Sequence, residues 1–303
     1  AVPKLQLGSG LEESDAWFES PAAFALIDSF NKIFSDYDTT SELSRLSATA
    51  GKNSFVKVSS VLYDMLAQSK SHYKKSKHTF DITIGPLSRL WRQVRREGRF
   101  PNSAQIASAK RLTGMDKIGI DTITKKVKLL QVGMQLDLGG IGKGYIAQAV
   151  IDFLKREGIT QALADAGGDI VCSGAPPGKR GWTIAINLPG EKKGDLQKNL
   201  LLQNGAVATS GDVYQYITHE GKRYAHIIDP STGYGVTFQR NVTVVANDGA
   251  TADWLATACS ILPKGKSKRL VLKKGAALLV MQLKKEKLKS YATQSFAQFW
   301  QKE

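Results

Sequence analysis

No run of about 18 or more uncharged apolar residues occurs in the 303-residue chain, which excludes a membrane-spanning helix of ordinary hydropathy. Cysteine is nearly absent, with only Cys172 in DIVCSG and Cys259 in ATACSIL. Both sit in apolar surroundings, too far apart for a metal-knuckle spacing, and read as buried thiols, because free cysteine packs as a small hydrophobe. Histidine is limited to His72, His78, His219 and His226. Any imidazole chemistry must come from that short set. Acid is scarce relative to base: 42 Lys and Arg face 27 Asp and Glu, for a net charge of +15. The opening AVPKLQLGSG does not have the basic-then-apolar layout of a signal peptide.

What is present is ordinary globular material, 42% apolar and 23% charged, enough for one substantial core or two smaller ones. The positive excess favours anionic partners. Its lysines fall in scattered loop-like pieces, KKSK, EKKGD, PKGKSKR and LKKEKLK, with little aromatic interleaving. That pattern reads as a solvated basic surface, and no nucleic-acid partner is expected; one would bind with steep salt dependence.

PAAFALIDSFNKIF, residues 21–34, starts with proline and carries apolar residues at helical spacing. Residues 58–77 repeat the pattern behind a serine N-cap, with His72 and His78 at a lysine-rich, solvated end. IGIDTITKKVKLL and GMQLDLGG are expected as extended runs, followed by a helix over GYIAQAVIDFLKREG that closes on Gly158. QALADAGGDIVCSG, GWTIAINLP, LLQNGAVATSGD, VYQYITHEGKRYAHIID and NVTVVAND read as strands parted by glycine turns, with His219 at a hairpin turn. Two helices flank a last hairpin, and region 90–105 is the most loop-like interruption. Strands follow strands too often for βαβ alternation, so the expected class is α+β with largely antiparallel sheets packed with helices, as one domain over 1–303.

One stretch, LDLGGIGKGY (136–145), places four glycines and a lysine behind an expected strand end. A P-loop needs G-x-x-x-x-G-K-[ST], but the residue five before Gly142 is Asp137 and Lys143 is followed by Gly144. The dinucleotide fingerprint G-x-G-x-x-G fails by one residue. Two readings remain open on this stretch alone: backbone N–H groups and Lys143 approach an anion, or the glycines serve close packing only.

FSDYDTTSELSRLS, FDITIGPL, LDLGGIGKGY, DAGGDI, VATSGD, HIIDPSTG and ATADWLAT are small-residue corners carrying an acid, a hydroxyl or a histidine. In that order they resemble the motifs of the FAD:protein FMN transferase (ApbE) family, from about residue 24 to the C-terminus. The resemblance implies an ApbE-like, T-fold-like architecture with two lobes around a flavin cleft, FAD as substrate and Mg²⁺ on its pyrophosphate. It implies that Tyr37, Thr79, Phe80, Asp81, Asp137, Lys143 and Ile228 contact FAD, and that His226 is catalytic. Gly140, through its carbonyl, with Asp253 and Thr257 would hold the metal. Asp253 and Thr257 are spaced i, i+4 on one helix face, and such oxygens suit a hard cation; Asp253 is expected as an exposed carboxylate that the fold does not need. A neutral imidazole at His226, with an unperturbed pKa of about 6.5, suits a base near neutrality, against the alternative of a core histidine.

The chain departs from the family near its start. Many members carry a Met-Gly-Thr strand, where this chain has Leu7-Gly8-Ser9 followed by LEESDAWFES, so a strand there is lost or recast and no site residue is assigned to it. The implied activity is Mg²⁺-dependent transfer of FMN from FAD to a threonine or serine hydroxyl of an acceptor flavoprotein, with AMP released. The implied acceptor carries Asp-x-x-[Ser/Gly]-Gly-Ala-[Thr/Ser] near a membrane, and the implied location is periplasmic or otherwise extracytoplasmic. FAD hydrolysis to FMN and AMP, or FAD binding without turnover, are the alternatives.

Overall fold

In a computed structural model, which describes residues 4–7, 20–187, 197–211, 216–284 and 287–301, the chain forms two compact units interleaved in sequence. One comprises 1–27, 141–214 and 238–303; the other comprises 28–140 and 215–237. Helices and antiparallel sheets make up both, as the α+β expectation required. Among the described residues, no helix is long and apolar enough to cross a membrane.

The first unit is built on a seven-stranded antiparallel sheet. Its order is Lys4–Leu7, Ala162–Asp165, Asp169–Ser173, Gly205–Gly211, Gln239–Ala246, Ala277–Lys284 and Lys287–Ala292. Alternation along the strands gives the sheet two apolar faces. Leu163, Cys172, Val207, Val245 and Leu279 pack with Trp182, Ile184, Leu200 and Leu202 of a second hairpin, Trp182–Asn187 with Gln197–Leu202, and with Phe296. The intervening Ala206, Ala208, Val244 and Leu278 are buried too, on the face that receives the helices Gly142–Arg156 and Gly249–Ile261. Both cysteines are buried and free, as expected. Burial pushes each thiol up to about 12, so neither is a nucleophile.

A strand is therefore present near the start: Lys4–Leu7 pairs in register with Ala162–Asp165. Residues 11–19 of the unusual LEESDAWFES that follows lie outside the described residues, as does Asp212 of the VATSGD corner.

The second unit carries the helices Glu42–Ser47, Ser60–Lys75, Gly85–Glu97 and Ser103–Arg111, a three-stranded sheet and the hairpin Tyr216–His219 with Lys222–Ala225. Ser59 caps Ser60–Lys75 by accepting from Leu62 N–H at 3.2 Å, the serine cap read in the sequence. Region 90–105 is not a loop. Most of it lies in Gly85–Glu97 and Ser103–Arg111, and only 98–102 is irregular. Leu87, Trp91 and Val94 repeat at helical spacing and are buried. Gly98 ends the first helix at φ +69°, and Asn102 opens the next with a capping box to Gln105.

Met134–Leu138 is not a strand either; it is irregular backbone, because Asp137 N–H finds the Ile82 carbonyl at 2.8 Å instead of a ladder partner. His72 corrects its sequence reading. It is buried, edge-on to Phe80 with centroids 6.0 Å apart, because it lies on the core face of its helix although lysines surround it in sequence. His78 is exposed. The last expected helix is a 3-10 turn, Gln294–Phe299.

Candidate active site

In the first unit the glycine stretch leads into the helix Gly142–Arg156, whose early turns pack on the start of Gly249–Ile261. A Cβ on Gly144 would overlap the carbonyl oxygen of Gly249, and one on Gly249 would overlap that of Gly144. Gly144 is thus a close-packing glycine. The closeness also lets Gly144 N–H donate to Asp253 Oδ2 at 3.2 Å.

Asp253 is 4% exposed, which overturns the expectation of an open carboxylate. Burial and then the neighbouring Asp169 push it well above the usual carboxylate range, against Lys143 and the Gly144 N–H. Asp169, also buried, is likewise raised by burial and pulled down by Lys143. Lys143 makes an ion pair with Asp169 while about half of its side chain stays exposed. Burial works against its charge, but Asp169 and Asp253 outweigh burial and hold its pKa up. Thr257, one turn beyond Asp253 on the same helix, is half-buried. Gly140 lies in the turn before the other helix.

This arrangement fits a divalent cation. Two buried carboxylates share one ammonium, so negative charge is in excess where water is scarce. Thr257, on the same helix as Asp253, adds a hydroxyl, a hard oxygen ligand. Among the described residues no cluster of three or more His, Cys, Asp or Glu is suited to a metal. One carboxylate with neutral oxygens leaves coordination positions for water and phosphate, the habit of Mg²⁺.

In the second unit, Asp137 and the FDITIGPL corner lie side by side through the Asp137–Ile82 bond. Asp81 Oδ1 accepts from Thr83 N–H at 2.8 Å and from its hydroxyl at 2.6 Å, and that hydroxyl accepts from Gly114 N–H at 2.6 Å. Asp81 therefore caps the turn Ile82–Ile84; burial raises its pKa against those hydrogen bonds. Thr79 donates to the Ser76 carbonyl at 2.9 Å, and Phe80 is buried beside His72.

Asp137 Oδ1 accepts from Gly139 N–H at 2.8 Å, while Oδ2 takes Arg92 at 3.1 Å. Arg92 also pairs with Asp36 at 2.5 Å and lies 4.1 Å beneath the ring of Tyr37, which is 76% exposed. Tyr37 is thus a braced, open aromatic face.

His226 follows the strand Lys222–Ala225. Val236 accepts from Ala225 N–H and donates to the Ile227 carbonyl, each at 2.9 Å, so half-buried His226 is the extra residue between two bonded ones. The Asp-Pro-x-x-Gly turn behind it forms as read: Gly233 N–H donates to the Asp229 carbonyl at 2.8 Å, with Gly233 at φ +80°. Ile228 bridges Gly235 and packs on the cluster around Leu87 and Trp91. His219, at its hairpin end, stacks on Phe100 with centroids 3.9 Å apart.

Within the units, Lys143 and Asp253 come together, and Tyr37 and Asp137 meet through Arg92. Sequence reading missed Asp169, Asp36 and Arg92. Asp169 and Asp36 stood inside quoted corners, Asp169 directly after Gly167-Gly168 and Asp36 beside Tyr37, where an acid in a small-residue corner was the available signal. Arg92 gave none, being one of several arginines on its helix.

The ApbE family model matches residues 6–280. The chain belongs to the ApbE family. Two relatives, both named FAD:protein FMN transferase, agree. One, from Klebsiella pneumoniae, is 32% identical over 231 residues, 76% of this chain and 71% of the relative. The other, from Haemophilus influenzae, is 31% identical over 265 residues, 85% and 76% respectively. Among solved structures, the flavin transferase ApbE from Vibrio cholerae superposes with a TM-score of 0.83 at 26% identity, covering 95% of this chain and 93% of its own. An ApbE protein from Thermotoga maritima gives 0.81 at 30%, covering 93% and 90%. The ApbE fold thus extends over both units.

Proposed function

We propose that this chain transfers the FMN moiety of FAD to a threonine or serine hydroxyl of an acceptor flavoprotein, with Mg²⁺, releasing AMP. As an ApbE protein it is an enzyme of the flavin-transferase type. The observation that carries the finer reading is the buried Asp169–Asp253 pair sharing Lys143 where Gly142–Arg156 begins. A site with excess oxygen charge, a cation of its own and a glycine-started helix suits a metal-bound pyrophosphate.

In this reading Asp253 and Thr257, with the Gly140 carbonyl, would hold Mg²⁺, which when bound would supply positive charge to offset that on the pyrophosphate oxygens. Lys143 meets a phosphate oxygen with a further positive charge. Tyr37 offers its open face to a flavin or adenine ring, and Asp137, Thr79, Phe80, Asp81 and Ile228 shape the ground around the nucleotide. One imidazole nitrogen of His226 takes the acceptor's hydroxyl proton as that oxygen bonds to the FMN-side phosphorus. The bond from that phosphorus to the bridging oxygen breaks, and AMP leaves with the oxygen. An extracytoplasmic location, with an acceptor near a membrane, belongs to the same proposal.

The test mixes the protein with FAD, Mg²⁺ and a domain bearing Asp-x-x-[Ser/Gly]-Gly-Ala-[Thr/Ser], then weighs the products. The domain should gain the mass of FMN, and replacing its terminal threonine by alanine should stop the gain. An unmodified acceptor, with FMN and AMP accumulating at a rate indifferent to it, would replace transfer by hydrolysis.

A further inference from the structure

We propose that Asp169 is a positioning residue that acts through Lys143, holding its ammonium where an FAD phosphate oxygen is to be met; this rests on the function proposed above.

The geometry of Asp169 is fixed from both sides. It opens the strand Asp169–Ser173, in register with Ala208 of Gly205–Gly211. Just before it the chain turns through Gly167 and Gly168 at φ +73° and +96°, conformations glycine adopts without penalty. Ala166 N–H donates to the Asp169 carbonyl at 2.9 Å, and Asp165 takes Gly168 N–H at 2.6 Å. Asp165 is thus spent on the turn, whereas the Asp169 carboxylate, 4% exposed, is paired with Lys143.

Lys143 is the opposite case. Its side chain is 49% exposed, on a stem with about 2 kcal/mol of rotamer entropy to lose. Its ammonium has three donors, and the pairing with Asp169 occupies one, leaving the others for an anion. Ordering the ammonium before a ligand arrives removes a cost of binding. Folding by itself gives little reason for the pair, since a buried ion pair is often no more stabilising than apolar groups of the same volume.

The experiment is a double-mutant cycle on FAD affinity, read by fluorescence quenching in EDTA, with Asp169→Asn, Lys143→Ala and the double variant. Each single change should weaken FAD about ten-fold, the loss of one charge-assisted contact, and the double variant should bind no worse than Lys143→Ala. If the two losses multiply while FAD still binds, Asp169 does not act through Lys143. If Asp169→Asn weakens Mg²⁺ binding in the Lys143→Ala background, Asp169 is a metal ligand and the proposal is overturned. Should Asp169→Asn not fold, Asp169→Glu enters the same cycle: its carboxylate, one methylene further out, shifts the ammonium, and the same lack of additivity is required. Wild-type protein that binds no FAD in EDTA or with Mg²⁺ restored would remove the transferase reading together with this one.

Discussion

At Asp253 a single carboxylate carries opposite demands. Buried beside Asp169, it is unfavourable as an anion in the metal-free protein, yet that unmet charge is what attracts a cation. Mg²⁺ should therefore raise the wild-type melting temperature by mass action, as any ligand of the native state does. Asp253→Asn, which keeps the shape and drops the charge, should melt at the same temperature with or without Mg²⁺ in differential scanning calorimetry. A Mg²⁺ shift that survives would move the metal elsewhere. Asp81 is buried without that purpose, facing Asp116 and His78. Its folded-state pKa lies above the unfolded 3.8, so its contribution to stability is fully present below that value and is lost as pH rises through the folded pKa. Both hydrogen bonds from Thr83 go to Oδ1, which asparagine also offers. Urea unfolding from about pH 4 to 7 should show Asp81→Asn gaining on wild type as pH rises; a gap that does not change with pH would contradict it. His226→Asn should retain FAD affinity within a few-fold and lose turnover by about 10² to 10⁴, the usual cost of removing a general base. A collapse of FAD affinity with turnover kept would return His226 to the core.

Between elements, the decisive contact is the crossing of Gly142–Arg156 over Gly249–Ile261. Gly144 and Gly249 meet backbone to backbone, and any side chain there must push one helix away. Gly144→Ala should cost about 1–3 kcal/mol in chemical denaturation, the range for overpacking, and should also weaken Mg²⁺ binding, because Gly144 N–H bonds Asp253. Gly98→Ala should cost less. Nothing lies within 4 Å of the added carbon, and only φ +69° opposes it. Equal losses would show that the crossing is not close-packed. A second cross-element device is the Arg92 brace, which ties Tyr37 and Asp36 to Asp137 across about a hundred residues of chain.

Over the whole molecule, a net charge of +15 acts at long range. From about 0.01 to 0.15 M salt the Debye length falls from about 30 to 8 Å, so encounter with an anionic acceptor should slow. The kcat/KM for the acceptor should drop about ten-fold or more over that range. A change within two-fold would leave the positive surface without a part in association.

Sequence alone determined the α+β class, the serine cap at Ser59, the stop at Gly158, the Asp-Pro-x-x-Gly turn and the ordered corners that carry the family resemblance. These depend on local periodicity and on backbone conformations that only certain residues adopt, which neighbours in sequence report directly. Tertiary structure decided the rest. It turned the 90–105 stretch into helices, because arginines on a solvent face hide an apolar stripe of Leu87, Trp91 and Val94. It left Met134–Leu138 irregular, because its backbone bonds to a turn and not to a strand. It buried His72 and Asp253, since burial depends on which residues distant in the chain cover a given face. It assigned Gly144 to packing, and it brought Asp169 to Lys143 across 26 residues. Such a pairing has no local signature, because its energy comes from the charge of a partner that only the folded chain brings near.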